Sequence, residues 1–395
     1  MKLLIPLFSP ATGTWGGVTR VVALHDAACR AGHQVAFCAS GEMAAGLKKH
    51  GYIVYSTPPT SMFGLPAPVS RILEQRSQRM SIPVRPGKSI GSLWMVMFLS
   101  GLGRAGYLKK LVEAQRAAVR DFQADAIFTD IDPAAYLTAA IERLPMCANY
   151  ADVMRTGIGG FAWKRMNAAI GPVLKANGLT ERSIDELFFA PEVLKIIPSI
   201  PELDGTDPNR ADVRYVGQLL GPVQPGSSFS PESGMRYVFA YLGTGSLSLD
   251  AQRRVLPQVF PASGSLRCLV GAQSLQADEE IGGVRFSRYV PADAVLPHCD
   301  WVICHGGQNT IIQALLNGVP LIIFPGPVFE RRFNASKVQE AGAGWMGERD
   351  QFTPVWLEKA LQTRAERTSR AAELGARIRS YGGADAAIGA IAETV

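Results

Sequence analysis

Six residues, His305-Gly306-Gly307-Gln308-Asn309-Thr310, stand between two apolar stretches of different period. Before them, Trp301-Val302-Ile303-Cys304 reads as a short buried strand. After them, Ile311, Ile312, Leu315 and Leu316 fall at helical spacing, and Gly318 followed by Pro320 closes the helix. The six residues are therefore a strand-to-helix turn. Its free amides and the amino end of the helix suit an anion, most often phosphate, and glycine lets the backbone approach it closely. A histidine in the turn adds a donor.

Three more turns share that character. Gly13 to Gly17, Asp130, and Gly243-Thr244-Gly245-Ser246 each follow an apolar run that reads as a strand: Lys2 to Phe8, Ala124 to Thr129, and Tyr237 to Leu242. Helical patterns follow at Val18 to Ala31, closing at Gly32, and at Ala134 to Arg143, and Gln34 to Ala39 returns as a strand. Strand, glycine turn and helix alternate throughout, which predicts an α/β chain with doubly wound parallel sheets. Two stretches rich in Pro, Asp, Gly and Ser, 200–209 and 221–234, flank a short strand at Val213 to Val216. The expected organisation is an N-terminal Rossmann-like domain over 1–205, a second over 206–375, and a C-terminal helix in 376–395 packing back on the first. Ligands of such sheets bind beyond the carboxyl ends of the strands, so two facing domains would build one cleft from the four turns.

The chain has 395 residues, 47% of them hydrophobic and 19% charged, a globular composition with room for more than one domain. The N-terminal run is interrupted by Pro6 and Pro10 and reads as a first buried strand rather than a signal peptide. The longest apolar stretch, Gly91 to Gly103, is too short to span a bilayer. The six cysteines, Cys29, Cys38, Cys147, Cys268, Cys299 and Cys304, form no C-x-x-C pair and read as buried thiols of a reducing, cytoplasmic protein. No Cys/His cluster has metal-ligand spacing. Between Arg71 and Arg120, ten cationic residues face only Glu74 and Glu113. That face suits an anionic substrate or peripheral contact with the inner face of a membrane. No nucleic-acid motif accompanies it.

The text RYVPADAVLPHCDWVICHGGQNTIIQALLNGVPLIIFPGPVFERRFNASKVQEAGAGWMG, residues 288–347, resembles the donor-binding half of nucleotide-sugar glycosyltransferases of the GT-B fold. The closest likeness is to the superfamily of UDP-glucuronosyltransferases and plant and bacterial antibiotic glycosyltransferases. The resemblance implies two Rossmann-like domains facing across a cleft. It implies that Tyr289 stacks on the nucleobase and that the Val290 backbone binds its edge. His305 and the amides of Gly307 and Gln308 would hold the diphosphate, helped by the Asn309 and Thr310 side chains. Gln313 falls where the family has a glutamate on the ribose, and Glu330-Arg331 where it has an acid-glutamine pair on the donor sugar. Gly243 and Thr244 would line the same cleft. Donors aimed at the departing diphosphate supply the charge stabilisation without a metal or further cofactor.

The N-terminal half departs from the family. The place of its usual basic histidine, counted back from Gly32-His33, is held by Gly17, and His25 lies about two helical turns further along. The aspartate partner of that histidine matches Asp130, which is left as the expected base. Gly16 and Gly17 in TWGGVTR resemble another GT-B branch, whose paired glycines touch the donor phosphates. Thr129 to Asp132, TDID, looks like a D-x-D metal motif, but a helix-capping Asp132 before Pro133 explains it as well. The expectation is an inverting, metal-independent transferase moving a sugar from a UDP- or dTDP-sugar. Its acceptor would be apolar or lipid-like, with room for negative charge, bound near residues 58–110. The alternatives are a sugar-nucleotide-binding auxiliary protein with impaired catalysis, and a nucleotide-sugar epimerase of similar fold.

Overall fold

The computed structural model describes residues 1–8, 16–66, 68–70, 72–73, 87–221, 228–243 and 246–395. Thr244, Gly13 and the basic residues Arg71, Arg76, Arg79 and Arg85 lie outside the described residues.

Two seven-stranded sheets organise the chain. The first contains β1 (Lys2–Pro6), β2 (Gln34–Ala39), β3 (Val54–Ser56), β4 (Ala126–Thr129), β5 (Met146–Asn149), β6 (Val193–Ile197) and β7 (Val213–Tyr215). Their order is β3-β2-β1-β4-β5-β6-β7, all parallel. The second contains β8 (Arg236–Tyr241), β9 (Leu266–Gly271), β10 (Glu279–Ile281), β11 (Val284–Ser287), β12 (Cys299–Cys304), β13 (Leu321–Ile323) and β14 (Gly344–Met346). Their order is β10-β11-β9-β8-β12-β13-β14, parallel except at the β10 edge. The strands are continuous apolar runs because helices cover both faces of each sheet, as parallel sheets require. β1, β4, β8 and β12 are buried along nearly their whole length.

β7 lies past residue 205, where composition places the domain boundary, yet it pairs with β6 from Lys195↔Val213 to Ile197↔Tyr215. The Pro- and Asp-rich stretch before it is a crossover within the first sheet, carrying the short helix Pro201–Asp204. The change of sheet falls between β7 and β8. The last helix, Gly383–Ala392, returns to the first half: Ala387, Ile388 and Ile391 are buried with Val21, Leu24 and Ala28. Four of the six cysteines are buried, while Cys29 is exposed.

The order of strands reverses between β1 and β4 in one sheet and between β8 and β12 in the other. At such a reversal the connections leave to opposite sides and open a crevice at the strand ends. The segment after β1, Asp130 after β4, Gly243 after β8 and His305 after β12 all sit at these two points.

Asp132 caps the helix Pro133–Glu142, accepting from Ala134 N at 2.9 Å and from Gln115 Nε2 at 2.6 Å. Burial pushes its carboxyl up to about 6, against the pull of those two hydrogen bonds. A folded-state pKa above the unfolded value of a carboxyl near 4 makes the native state bind the proton more tightly. Stability from this group is thus greatest below about pH 4, falls as pH rises to about 6, and is flat beyond. Asp132→Asn keeps the cap, and Gln115 can turn its amide to serve the new donor. Urea unfolding from pH 4 to pH 7 is expected to show the variant gaining on the wild type across that window. Parallel curves would contradict the assignment.

Candidate functional site

The helix Gln308–Leu316 begins directly at the turn after β12, with Gly307 as its cap and no side chain closing its amides. Its first four N–H groups are therefore free for a ligand. Gly306 has φ +88°, and a side chain there would come within 2.9 Å of the Arg331 carbonyl oxygen. The turn thus requires glycine both for its backbone and for the close approach of the helix Phe329–Glu340. Asn334 Nδ2 fixes the contact by donating to Gly306 O at 3.0 Å.

His305 Nδ1 lies 3.2 Å from Tyr241 O. A carbonyl only accepts, so Nδ1 carries the proton and the neutral ring leaves Nε2 as an acceptor. Burial, helped by the Arg331 cation, lowers the imidazole to about 4, against the hydrogen bond to Tyr241. Gly243 is at φ +57°, and a side chain on it would sit 3.1 Å from His305 Nδ1. The two glycine turns thus enclose the ring.

The first helix, Gly16–Arg30, brings its amino end to the same place from the other half. Asn309 Nδ2 donates to Thr19 Oγ1 at 3.1 Å, and Gln308 Nε2 to Pro198 O at 3.0 Å. The Asn309 side chain, expected on the diphosphate, ties the halves together instead, and the Gln308 side chain does the same. Their backbone amides keep the expected place at the helix start.

Asp130 stands at the end of β4, where the sequence puts it, but it is not alone. Arg20 grips it with Nε on Oδ1 at 3.0 Å and Nη2 on Oδ2 at 2.8 Å, and Asn149 Nδ2 donates to Oδ1 at 2.8 Å. Arg20 is three residues after Gly17, one turn along the helix, so both face Asp130. A Cβ on Gly17 would lie 2.8 Å from Asp130 Oδ2. His25 points elsewhere, with Nδ1 3.0 Å from Asp26 Oδ1 and its ring against Phe37 and Tyr52. Burial pulls the Arg20 guanidinium down, but Asp130 outweighs it and the net shift is upward, with Glu330 adding attraction.

Glu330 is the second residue of its helix and lines the crevice between the halves with Ser199 and Gln308. It keeps solvent access at the mouth, while the surrounding walls raise its carboxyl pKa against Arg20 and Arg331. The Arg331 guanidinium beside it is lowered by burial, with Glu330 opposing. Tyr289 and Val290 follow β11, with Tyr289 68% exposed and its ring face open. Gln313 Nε2 donates to Asp293 Oδ1 at 3.2 Å, so a carboxylate stands next to the position where the resemblance calls for one. Thr310 is half-buried in the first helical turn.

Residues 269–382 match the family of erythromycin biosynthesis protein CIII-like C-terminal domains. The chain is 30% identical over 161 residues to 4'-demethylrebeccamycin synthase of Lentzea aerocolonigenes, covering 38% of this chain and spanning 37% of that relative's length. It is 25% identical over 397 residues to the NDP-glycosyltransferase YjiC of Bacillus subtilis (strain 168), covering 94% of this chain and 93% of the relative. The glycotransferase of kitacinnamycin superposes over 100% of this chain and 98% of its own, with TM-score 0.76 and 17% identity. The glycosyltransferase VinC, solved in complex with dTDP, superposes over 100% and 99%, with TM-score 0.67 and 17% identity.

The chain has the GT-B fold. The match to the EryCIII-like C-terminal domain falls in its C-terminal half, and the His305 turn and Glu330-Arg331 both lie inside it. In this GT-B cleft, sequence reasoning missed Arg20, Asn149, Thr19 and Asp293. Only Arg20 left a signal, as the one cation in the first turns of the helix whose glycine replaces histidine. Gly17→Ala forces a methyl onto a carboxylate that three N–H donors hold still, and should cost roughly 1–3 kcal/mol of stability by overpacking. Gly46→Ala, in helix Gly41–Lys49 with nothing within 4 Å of the new Cβ, should gain up to about 1 kcal/mol. Urea unfolding checks both signs, and a stabilised Gly17→Ala would contradict the close fit.

Proposed function

We propose that this chain is an inverting glycosyltransferase that uses a UDP- or dTDP-sugar without a metal or further cofactor. The observation that carries the reading is the meeting of two helix amino ends at one point, the first turn of Gly16–Arg30 and that of Gln308–Leu316. Each end is equivalent to about half a positive charge. With Arg331 and the His305 turn, they form a place where a diphosphate can leave with its charge stabilised before the bond breaks. One relative reported above is named an NDP-glycosyltransferase, and one structural neighbour holds dTDP, which agrees with this use of the site.

Tyr289 would stack on the base and the Val290 backbone would bind its edge, since the ring is exposed on the same rim. Gln313 and Asp293 together would receive the ribose hydroxyls. Gly16, Gly17 and Gly243 would give the phosphates close access to the backbone. The acceptor would be an apolar natural product or lipid-like molecule with room for negative charge. Within residues 58–110, Trp94, Met97 and Met62 are core residues. The apolar surface is provided by Phe63, Phe98 and Phe161, whose rings meet edge to face at 6.0 and 5.4 Å and whose outer members are exposed. No helix among the described residues is long and apolar enough to cross a membrane. Peripheral membrane contact through the basic stretch would remain compatible with a cytoplasmic protein.

The neutral His305 donates its Nδ1 proton to the Tyr241 carbonyl. A phosphate oxygen arriving at Nε2 can be met by a donor only if the ring takes up a second proton. The ring's pKa then rises from about 4, so nucleotide affinity increases as pH falls. Calorimetric titration with dTDP and with UDP in buffers of different ionisation enthalpy is expected to show proton uptake. His305→Ala should abolish the uptake and weaken binding by roughly 1.5–3 kcal/mol, the worth of a hydrogen bond to a charged group. Unchanged affinity in a folded variant would take His305 out of the site.

A further inference from the structure

A general base must offer a free lone pair to the proton it takes, within reach of the attacking atom. Asp130 no longer can. Oδ1 accepts from both Arg20 and Asn149, and Oδ2 accepts from Arg20 and faces Gly17, where even an added Cβ would sit 2.8 Å from it. A carboxylate so occupied is a structural anchor for Arg20. Glu330 differs on each count. Among the described residues its carboxylate accepts no hydrogen bond, and its side chain is open to the cleft.

Its position is fixed from both halves. Ile90 of the N-terminal half bridges to Val328 like a strand, giving Ile90 N–H to Pro327 O at 2.7 Å and accepting from Phe329 N at 3.2 Å. The next residue, Gly91, is at φ +89°, and a side chain on it would lie 3.5 Å from the Phe329 ring. On the other side the Arg331 carbonyl is pressed against Gly306 of the phosphate turn. Glu330 therefore stands between the backbone clamp from one half and the turn where the diphosphate would sit. It faces Arg20 and Asp130, near enough to feel both charges.

Resting on the glycosyltransferase reading, we infer that Glu330 is the general base of this cleft and that the Arg20–Asp130 pair only shapes the wall opposite it. The acceptor O–H gives its proton to a Glu330 oxygen as the acceptor oxygen forms its bond to the anomeric carbon. The bond from that carbon to the phosphate oxygen breaks, and its electron pair leaves with the nucleoside diphosphate. Glu330 then returns the proton to solvent.

The test uses the full chain with UDP-glucose and dTDP-glucose. The acceptors are a series of phenols from weakly to strongly acidic, with water as the weakest acid. Glycoside formation and nucleotide release are both read. Glu330→Gln should lower turnover about 10²–10⁴-fold with weakly acidic acceptors, the usual worth of such a base. The loss should shrink toward nothing with phenols already ionised at the assay pH, and donor KM should hold. The wild-type rate should fall as pH drops through the Glu330 pKa, a limb absent from the variant, and Glu330→Asp should restore part of the rate. A raised donor KM with turnover and pH profile intact would make Glu330 a sugar-holding residue and overturn the assignment. So would a folded Asp130→Asn variant that loses the acid limb while Glu330→Gln keeps it. Nucleotide release by no form of the chain with either donor would instead bring down the glycosyltransferase reading itself.

Discussion

Two helix amino ends meet across the gap between two sheets, and the rest of the architecture follows from holding them there. Aligned peptide dipoles make each end positive, so a direct approach is unfavourable unless side chains tie the ends or an anion fills the space. Asn309 on Thr19 and Gln308 on Pro198 provide the ties. The reversal of strand order in each sheet provides the space. Glycines at 17, 243, 306 and 307 keep the turns thin enough for backbone to reach a ligand. Asp130 and Glu330 balance Arg20 and Arg331.

Gly17, which stands where the resemblance implies a histidine, affects more than its own position. A side chain at 17 would collide with Asp130, and the space is taken by the guanidinium of Arg20 from one turn further on. That bidentate pair is a strong, directional interaction in a nearly closed setting. It fixes the carboxylate and occupies both of its oxygens at once. The acidic function of the cleft passes to Glu330, whose neighbours Pro327 and Phe329 are held by backbone bonds to Ile90 and whose carboxylate accepts no hydrogen bond among the described residues.

Much of this was legible in the sequence, for a physical reason: strands buried on both faces are continuous apolar runs, and each phosphate-type turn needs glycine. The turns at His305 and Gly243 and the end of β4 at Asp130 are where the period of the pattern changes. Capping by Asp132 was equally readable, because Asp-Pro at a helix start has one good geometry. The domain boundary was not. A loop rich in Pro and Asp looks the same whether it joins two sheets or returns to one, and only the pairing of β7 with β6 distinguishes them. Contacts between distant segments were also hidden. Nothing local in Arg20, Asn149 or Ile90 says that they meet Asp130 or Val328, since those meetings are made by the packing of one half on the other.

The most direct measurement is a crystal structure of the chain with dTDP or UDP bound. The account places the β-phosphate on the amides of Gly307 to Asn309, within hydrogen-bond distance of His305 Nε2 and in line with the first turn of Gly16–Arg30. The Glu330 carboxylate should stay open toward the position of the departing bond, and Arg20 should remain on Asp130. A nucleotide bound away from the His305 turn, or an Arg20 that leaves Asp130 to take the phosphate, would contradict it.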